Sequence, residues 1–327
     1  MNTLRFVAFA IVLPFVASCG QRDSTPSNTK SERADAIPVV VRLADTQFMG
    51  ILPLYVADEK GFFKSEGVRL EWLDVKDPSQ AAKIFFAGQA DLLMTTFANM
   101  LPAEIREPGT LKLLLPACET GARPGSFFLA KKESPLSSSA DLKGHTLGTY
   151  SGASQKVYTL AILTRLGLRE PEDVKLQQVQ TSAQVQALFG GAFDVLFAVE
   201  PYASMAMAQG AKVIESGVRM KHLQDPFWIG SVALTTQFLK KNPEAKRRLT
   251  AALEKAVHFI EGHESEAREI LGRRTNLEPE IAAKCVLYQW IPHPSPDQLR
   301  HIQEHADFLH RETLLDNPLS TTPLFHE

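Results

Sequence analysis

Residues 79–94 and 182–197 carry one pattern twice, at an offset of 103 positions. Phe86 falls on Phe189, Gly88 on Gly191 and Asp91 on Asp194, while Leu92-Leu93-Met94 falls on Val195-Leu196-Phe197. Each copy reads as a helix, a glycine, an aspartate and a short buried strand. The first helix opens with Asp77 as N-cap, Pro78 at N1 and Gln80 at N3; the second opens with Thr181 and Gln184. Around the copies, apolar runs suited to strands (Val39–Leu43, Val68–Leu73, Asp91–Met94, Leu111–Cys118, Thr146–Tyr150, Ser231–Thr235) alternate with helical spacing. One such helix is Leu52–Lys60, stopped by Gly61; another carries Val157, Leu160 and Leu163. This alternation predicts an α/β fold of two similar lobes, each a mostly parallel sheet with helices on both faces. Lobe 1 is expected over 37–120 and lobe 2 over 121–226. Residues 227–327 are expected to return to lobe 1 and finish in helices.

The first eighteen residues read as a leader. Arg5 precedes an apolar run from Phe6 to Val16, and small residues lead to Cys19. A basic start, a short apolar core and small residues before a cut define a secretory signal. The run falls short of the roughly 20 residues a bilayer span needs. Ending on Val16-Ala17-Ser18-Cys19, it resembles a bacterial lipoprotein signal. That resemblance implies lipidation at Cys19, export, and a membrane anchor at the periplasmic face or cell surface. Residues 19–36 contain no large apolar side chain and are expected to form a flexible tether.

Composition narrows the partners. Net charge is −2, and losing Arg5 with the leader leaves −3, so neither nucleic acid nor a polybasic membrane surface is indicated. Cys118 and Cys285 each sit in an apolar run and are read as buried free thiols. His258/His263 and His301/His305 lack a third ligand and are read as solvated helix faces rather than a metal site. No cofactor motif is present: there is no Gly-rich phosphate loop, no G-x-S-x-G and no H-E-x-x-H.

Several segments, taken in order, resemble a known family. They are Pro53-Leu54-Tyr55-Val56-Ala57, Lys60-Gly61-Phe62-Phe63-Lys64 with Gly67-Val68, and Ala87-Gly88-Gln89-Ala90-Asp91. Asp141-Leu142-Lys143-Gly144, Glu200-Pro201 and Asn242-Pro243-Glu244 follow. The chain is similar to periplasmic solute-binding proteins of the nitrate/sulfonate/taurine and thiamine-pyrimidine-precursor group, from about Ile37 to Glu269. The resemblance implies a type II periplasmic-binding-protein fold, with two α/β lobes, a hinge and an interlobe cleft. It also implies a monomeric receptor that hands one small molecule, chemically unchanged, to the permease of an ABC importer. Beyond Arg274 the family pattern fades, and the C-terminal helices are read from periodicity alone.

In open α/β sheets, ligands sit beyond the carboxyl ends of the strands. From lobe 1 that rule nominates Gln47, Phe48 and Met49 after the first strand, with Thr95 and Thr96 after the third. From lobe 2 it nominates Ser151, Gly152 and Ser154, where a helix N-terminus offers free N–H groups. Glu200 and Tyr202 follow the lobe-2 third strand, and Trp228 opens the return. Glu200 favours an amino-bearing, nitrogenous or aromatic ligand over a sulfonate or nitrate, which it would repel. The serines are equally suited to cap a helix, Glu200 to begin one, and the aromatics to fill the core. No arginine stands at a cleft loop, though Arg123, near the lobe crossover, is placed to reach it. Two other classes stay open: an enzyme of the pyrimidine or menaquinone pathway type, with Asp45 and Glu119 as acid and base candidates, and a tethered sensor.

Overall fold

The computed structural model describes residues 38–47, 49–75 and 78–326. The leader, Cys19, the tether, Phe48 and the Asp77 helix cap lie outside the described residues. The first lobe begins β1 (Val39–Asp45), α1 (Leu52–Glu59), α2 (Phe62–Ser65), β2 (Val68–Asp74), α3 (Pro78–Phe86), β3 (Leu92–Thr96), α4 (Phe97–Arg106) and β4 (Leu111–Glu119). The second comprises β5 (Ser126–Lys131), β6 (Thr146–Tyr150), α5 (Ala153–Arg165), β7 (Lys175–Val179), α6 (Gln184–Gly190), β8 (Val195–Val199), α7 (Tyr202–Ala208), β9 (Ala211–Ser216) and α8 (Val218–His222). The chain then returns through β10 (Phe227–Thr235), α9 (Thr236–Lys241), α10 (Ala245–Gly262), α11 (Glu264–Thr275), α12 (Pro279–Ala282), β11 (Gln289–Trp290), α13 (Pro296–Arg311) and α14 (Thr322–Phe325).

Two sheets result, ordered β11-β4-β10-β3-β1-β2 and β7-β6-β8-β5-β9. Apart from the short β11, they correspond strand for strand: β2-β1-β3-β10-β4 matches β7-β6-β8-β5-β9. In each, the fourth strand runs antiparallel to both neighbours. That strand, β10 or β5, is the one that arrives from the other lobe. The chain therefore passes between the sheets twice, and both passages enter a sheet centre rather than an edge.

The 103-residue repeat is visible at the level of single bonds. Asp91 precedes β3; its N–H donates to the Arg42 carbonyl at 2.8 Å, and its carboxylate accepts from the Arg42 N–H at 3.0 Å. Asp194 precedes β8 and makes the same pair of bonds with Thr146, at 3.0 and 2.8 Å. In both lobes the aspartate fixes where the third strand meets the first. The second helix differs from expectation. Residues 181–183 wind as a 3-10 turn, and Gln184 donates to the Thr181 carbonyl at 2.8 Å. The tighter turn replaces the expected Thr181 side-chain cap, which does not form.

Local chemistry explains the boundaries. α1 ends at Glu59, two residues before Gly61, whose φ of 71° is the left-handed conformation that glycine adopts at low cost. Gly230 in β10 is required for another reason: a Cβ there would lie 1.9 Å from the Thr95 carbonyl oxygen. Lobe 2 shows strict alternation, with Phe128, Val195 and Phe197 buried on one face and Phe127, Leu129, Leu196 and Ala198 on the other. Covering both faces is what a largely parallel sheet needs.

The C-terminal helices complete the first core. Ile302, Ala306, Phe308 and Leu309 recur at helical spacing along α13 and join the lobe-1 cluster. Tyr158 and Ala161 of α5 join the same cluster, so the two lobes share buried apolar surface. His305 corrects the sequence reading. It is fully buried rather than solvated, with Nδ1 3.0 Å from Gln224 Oε1. It lies on the apolar face of α13, one residue before Ala306. Burial lowers its pKa to about 3.

Candidate functional site

β3, β10 and β4 are adjacent, and their registers define one edge. Thr96 ends β3 and pairs with Gly230; Glu119 ends β4 and pairs with Phe227. Trp228, paired with Cys118, lies on the same edge. Here the chain leaves lobe 1 and comes back to it. Thr96 occupies the N-cap of α4, yet its hydroxyl makes no cap bond and has no partner. Thr95 is turned to local use, with Oγ1 accepting from Asn99 Nδ2 at 3.2 Å.

The loop after β1 is shaped by Asp45. Its Oδ1 accepts from the Gln47 N–H at 2.9 Å and from the Tyr55 hydroxyl at 2.7 Å. Gln47 takes φ 52°, left-handed for a side-chain-bearing residue. That conformation costs energy, and the two bonds to Asp45 compensate. Met49 is buried, and the next residue, Gly50, accepts from Trp290 Nε1 at 3.1 Å.

In lobe 2, Gly152 takes the N-cap of α5, with no side-chain cap. Ser151 is exposed, and its N–H and hydroxyl both donate to the Val179 carbonyl, at 2.8 and 3.0 Å. Ser154 is half-buried in the first turn. The capping role open to the serines is therefore filled by neither.

Glu200 is 1% exposed and fully engaged. Oε1 accepts from Ser204 Oγ at 2.9 Å and from the Val286 N–H at 3.0 Å, and Oε2 from the Ser204 N–H at 3.2 Å. Burial raises its pKa, against the pull of those bonds. It fastens the end of β8 to the C-terminal segment. Tyr202, half-buried, begins α7. Trp228 is fully buried, and its Nε1 has no hydrogen-bond partner. Arg123 is taken by an ion pair with Glu264.

The strongest polar feature was not assembled by sequence reasoning. Arg219, at the start of α8, is 4% exposed and reaches the lobe junction. Its Nη2 donates to Tyr150 Oη at 3.0 Å and to Gln155 Oε1 at 2.7 Å, and Nη1 lies 3.6 Å from Glu119 Oε1. Glu119 Oε2 accepts from Ser126 Oγ at 2.7 Å and the Gly125 N–H at 3.2 Å. The guanidinium packs over Tyr158, Phe197 and Phe227, 5.4–5.9 Å from their ring centres. Burial opposes its charge, but Tyr150 and Glu119 outweigh that and hold its pKa up. One residue thus ties both ends of the Tyr150–Gln155 loop to the last residue of β4. Its signal in the sequence was faint: Glu119, a carboxylate directly after the apolar run Leu111–Cys118, and an arginine two residues past Gly217.

Cys118 and Cys285 are buried free thiols, each pushed by burial up to about 12. Among the described residues, no group of three His, Cys, Asp or Glu side chains is placed to hold a metal.

Two corresponding sheets, joined by two crossings with strand ends at the junction, define a type II periplasmic-binding-protein fold. Residues 49–267 match the family model described as NMT1/THI5 like, and the chain belongs to that family. A putative aliphatic sulfonates-binding protein of Bacillus subtilis (strain 168) is 23% identical over 96% of this chain and 91% of its own. A 4-amino-5-hydroxymethyl-2-methylpyrimidine phosphate synthase of Saccharomyces cerevisiae is 24% identical, over 64% of this chain and 63% of its own. The solved periplasmic aliphatic sulphonate binding protein SsuA from Escherichia coli superposes with a TM-score of 0.72, at 17% identity, covering 89% of this chain and 92% of that one.

Proposed function

We propose that this chain is a membrane-tethered receptor that binds one small polar or nitrogenous solute between its lobes and delivers it, unchanged, to an ABC importer. The observation that carries this reading is the junction of the two sheets, where the end of β4, the start of β5 and the start of β10 meet at the buried cluster of Glu119, Ser126, Arg219, Tyr150 and Gln155. A receptor of this type works by hinge motion, and the solute stabilises the closed form by its differential affinity. The moving bodies are 37–120 with the return from 227, against 121–226. Gln47, Met49, Thr96 and Trp228 form the lobe-1 side of the cleft, and Ser151, Gly152, Ser154 and Tyr202 the lobe-2 side. The sulfonate-binding relative keeps a second reading in view, an oxyanion held by the same fold. The yeast synthase keeps the enzyme class in view.

The protein is exported and anchored as a monomer through lipid on Cys19, in the cell envelope. The motive is the Val16-Ala17-Ser18-Cys19 cut site after a short apolar core. A thermal-shift screen of sulfonates, nitrate, amines and pyrimidines tests the receptor reading. A solute at 100 times its Kd should stabilise by about 2.7 kcal/mol. Recovering the bound solute chemically altered would sink the receptor and favour the enzyme. Cys19→Ala should shift the protein from the membrane fraction to the soluble one or stall processing; unchanged membrane association would refute the anchor.

A further inference from the structure

A net charge near zero conceals where the charges sit. Residues 240–248 read KKNPEAKRR, five basic side chains and one acidic in a chain of net charge −2. They span the end of α9 and the first turn of α10. The fold brings two more basic residues to the same place. α4 ends on Arg106, and β4 begins Leu111-Lys112, paired with Leu234 and Thr235 just before α9. Arg106 and Lys240 line one hollow, and Lys112, Lys240, Lys246 and Arg247 line the adjoining one. Arg106, Lys240, Lys241 and Arg247 are exposed. Among the described residues, Arg106, Lys240 and Lys241 have no ion-pair partner. Glu107, Glu244 and Glu254 are the carboxylates on these hollows, and Arg247 holds Glu244 at 2.8 Å. Glu104, close by, is buried and accepts from the N–H groups of Gly109, Thr110 and Leu111. A second observation is where the chain enters the lobe. The Val39 N–H donates to the Gly67 carbonyl at 2.9 Å, and Arg248 Nη1 reaches the same oxygen at 3.4 Å. Whatever precedes Val39 is therefore joined to the body beside this patch.

We propose that this end of lobe 1 docks on a bilayer surface containing anionic phospholipid, and so orients the protein on the membrane. The surface goes beyond the receptor reading and is separate from the cleft. β1 and β3 start toward this end, and Gln47 and Thr96 lie at or beyond their carboxyl ends. An anionic bilayer attracts clustered Lys and Arg, each adding on the order of fivefold to partitioning when it lies near the surface. The attraction fades within a Debye length, about 10 Å at 0.1 M salt, so only charges at the contacting end count. The rest of the chain carries more acidic than basic residues, which confines the attraction to this end and gives it a direction. A bilayer fits better than an acidic protein. Protein interfaces centre on apolar and aromatic side chains and are depleted in Lys. Val213, in lobe 2, is the exposed large hydrophobic side chain among the described residues, so the patch offers charge with no such centre. Lipid on Cys19, where the anchor reading holds, would bring the Val39 end to the bilayer in the first place.

Vesicle co-sedimentation of the full chain tests this in a Cys19→Ala background, where acyl chains do not contribute. One set of vesicles mixes phosphatidylethanolamine with phosphatidylglycerol, and the other is phosphatidylcholine alone. Partitioning onto the anionic vesicles should be at least about tenfold stronger, and raising salt from about 0.05 M to about 0.3 M should abolish most of that difference. Arg106→Glu, Lys240→Glu and Lys241→Glu together should lower binding to the anionic vesicles by about tenfold or more. The matched control is Lys132→Glu, Lys175→Glu and Lys284→Glu, three exposed lysines elsewhere, which changes net charge equally and should leave binding within about threefold of the starting protein. All six side chains are exposed, so both triple variants should melt with the starting protein. If the control loses as much as the patch variant, net charge and not this surface is responsible, and the proposal fails. Equal, weak binding to both kinds of vesicle also overturns it and leaves an acidic protein as the occupant. The salt and lipid comparisons use the unmutated patch, so they decide the matter even if a triple variant does not fold. None of these outcomes touches the solute screen, so the receptor reading stands or falls separately.

Discussion

Glu200 and His305 are both buried, and their partners give each a measurable consequence. Glu200 accepts three hydrogen bonds, one from the backbone of residue 286 across to the C-terminal segment. Glu200→Gln turns one acceptor oxygen into a donor facing N–H or O–H groups. Leaving a buried donor unmatched costs about 1–3 kcal/mol. Urea unfolding should therefore show a loss of that size, and an unchanged midpoint would mean the carboxylate is not structural. His305 works through protons. Its folded pKa is lowered to about 3 by burial, from an ordinary value near 6.5. Between those values the unfolded chain binds the proton and the folded one does not, so stability falls as pH falls from 6.5 toward 3. Tyr158, Phe97, Phe227, Phe308, Gln224 and Arg219 surround the ring, and none replaces it as a titrating group in that range. Glu119 and Glu200, raised by burial, contribute the opposite slope above the ordinary carboxylate range, so the test is a difference. Wild type should lose up to about 1.4 kcal/mol per pH unit more than His305→Gln as pH is lowered through this window. Parallel profiles would place the wild-type imidazole in water.

At the scale of elements, the repeated helix–glycine–aspartate–strand unit makes a comparison inside one molecule. Asp91 and Asp194 do the same backbone job, but Asp91 also receives Arg42 Nε at 2.9 Å and Nη2 at 2.7 Å and is 6% exposed. The Asp194 side chain is 51% exposed, with a single long contact to His145. Asp91→Ala should cost about 2–3 kcal/mol and Asp194→Ala about 1 or less, both read from denaturant midpoints. Equal costs would mean that the shared backbone bonds dominate. The strand–helix order, the repeat and the return strand were legible because apolar runs and glycine stops are local signals. Gly61 and the Ser231–Thr235 run illustrate both, although β10 itself starts four residues earlier, at Phe227. The site was legible only as a set of loops. Thr96 and Trp228 were nominated by their place at strand ends, and the structure leaves a polar atom of each without a partner. Glu200 was nominated by the same rule, but its partner lies 86 residues away at Val286. Arg219 meets Glu119 across 100 positions, and no local spacing announces such a pair. His305 was misread because α13 is polar in composition while its buried face is narrow.

For the whole molecule, the question is what resists opening. α13 belongs to the lobe-1 core, yet it also grips α5 of lobe 2. The Phe308 ring lies 6.1 Å from Tyr158 at an interplanar angle of 10°, Tyr158 Oη is 3.5 Å from His305 Nε2, and Arg165 sits 5.4 Å over Phe308. Arg165 and Glu312 add an ion pair at 3.9 Å. A second tie runs from Glu200 to Val286. Hinge opening has to break these contacts or carry α13 along with lobe 2. Carrying it would expose Ile302, Ala306 and Leu309, which is the more expensive course because each is an apolar side chain within the lobe-1 cluster. The contacts at Tyr158 are therefore the ones that give way, and they bias the solute-free protein toward the closed form. Aromatic pairs of this kind contribute about 0.5–1.5 kcal/mol beyond their buried area. Tyr158→Ala, which removes the lobe-2 side and leaves α13 in its own core, should raise the open-to-closed ratio roughly fivefold per 1 kcal/mol lost. Small-angle scattering without solute should then report a larger radius of gyration, and a saturating solute should bring it back. If scattering is unchanged while thermal stability drops, Tyr158 is a core residue only, and the C-terminal helix does not govern closure.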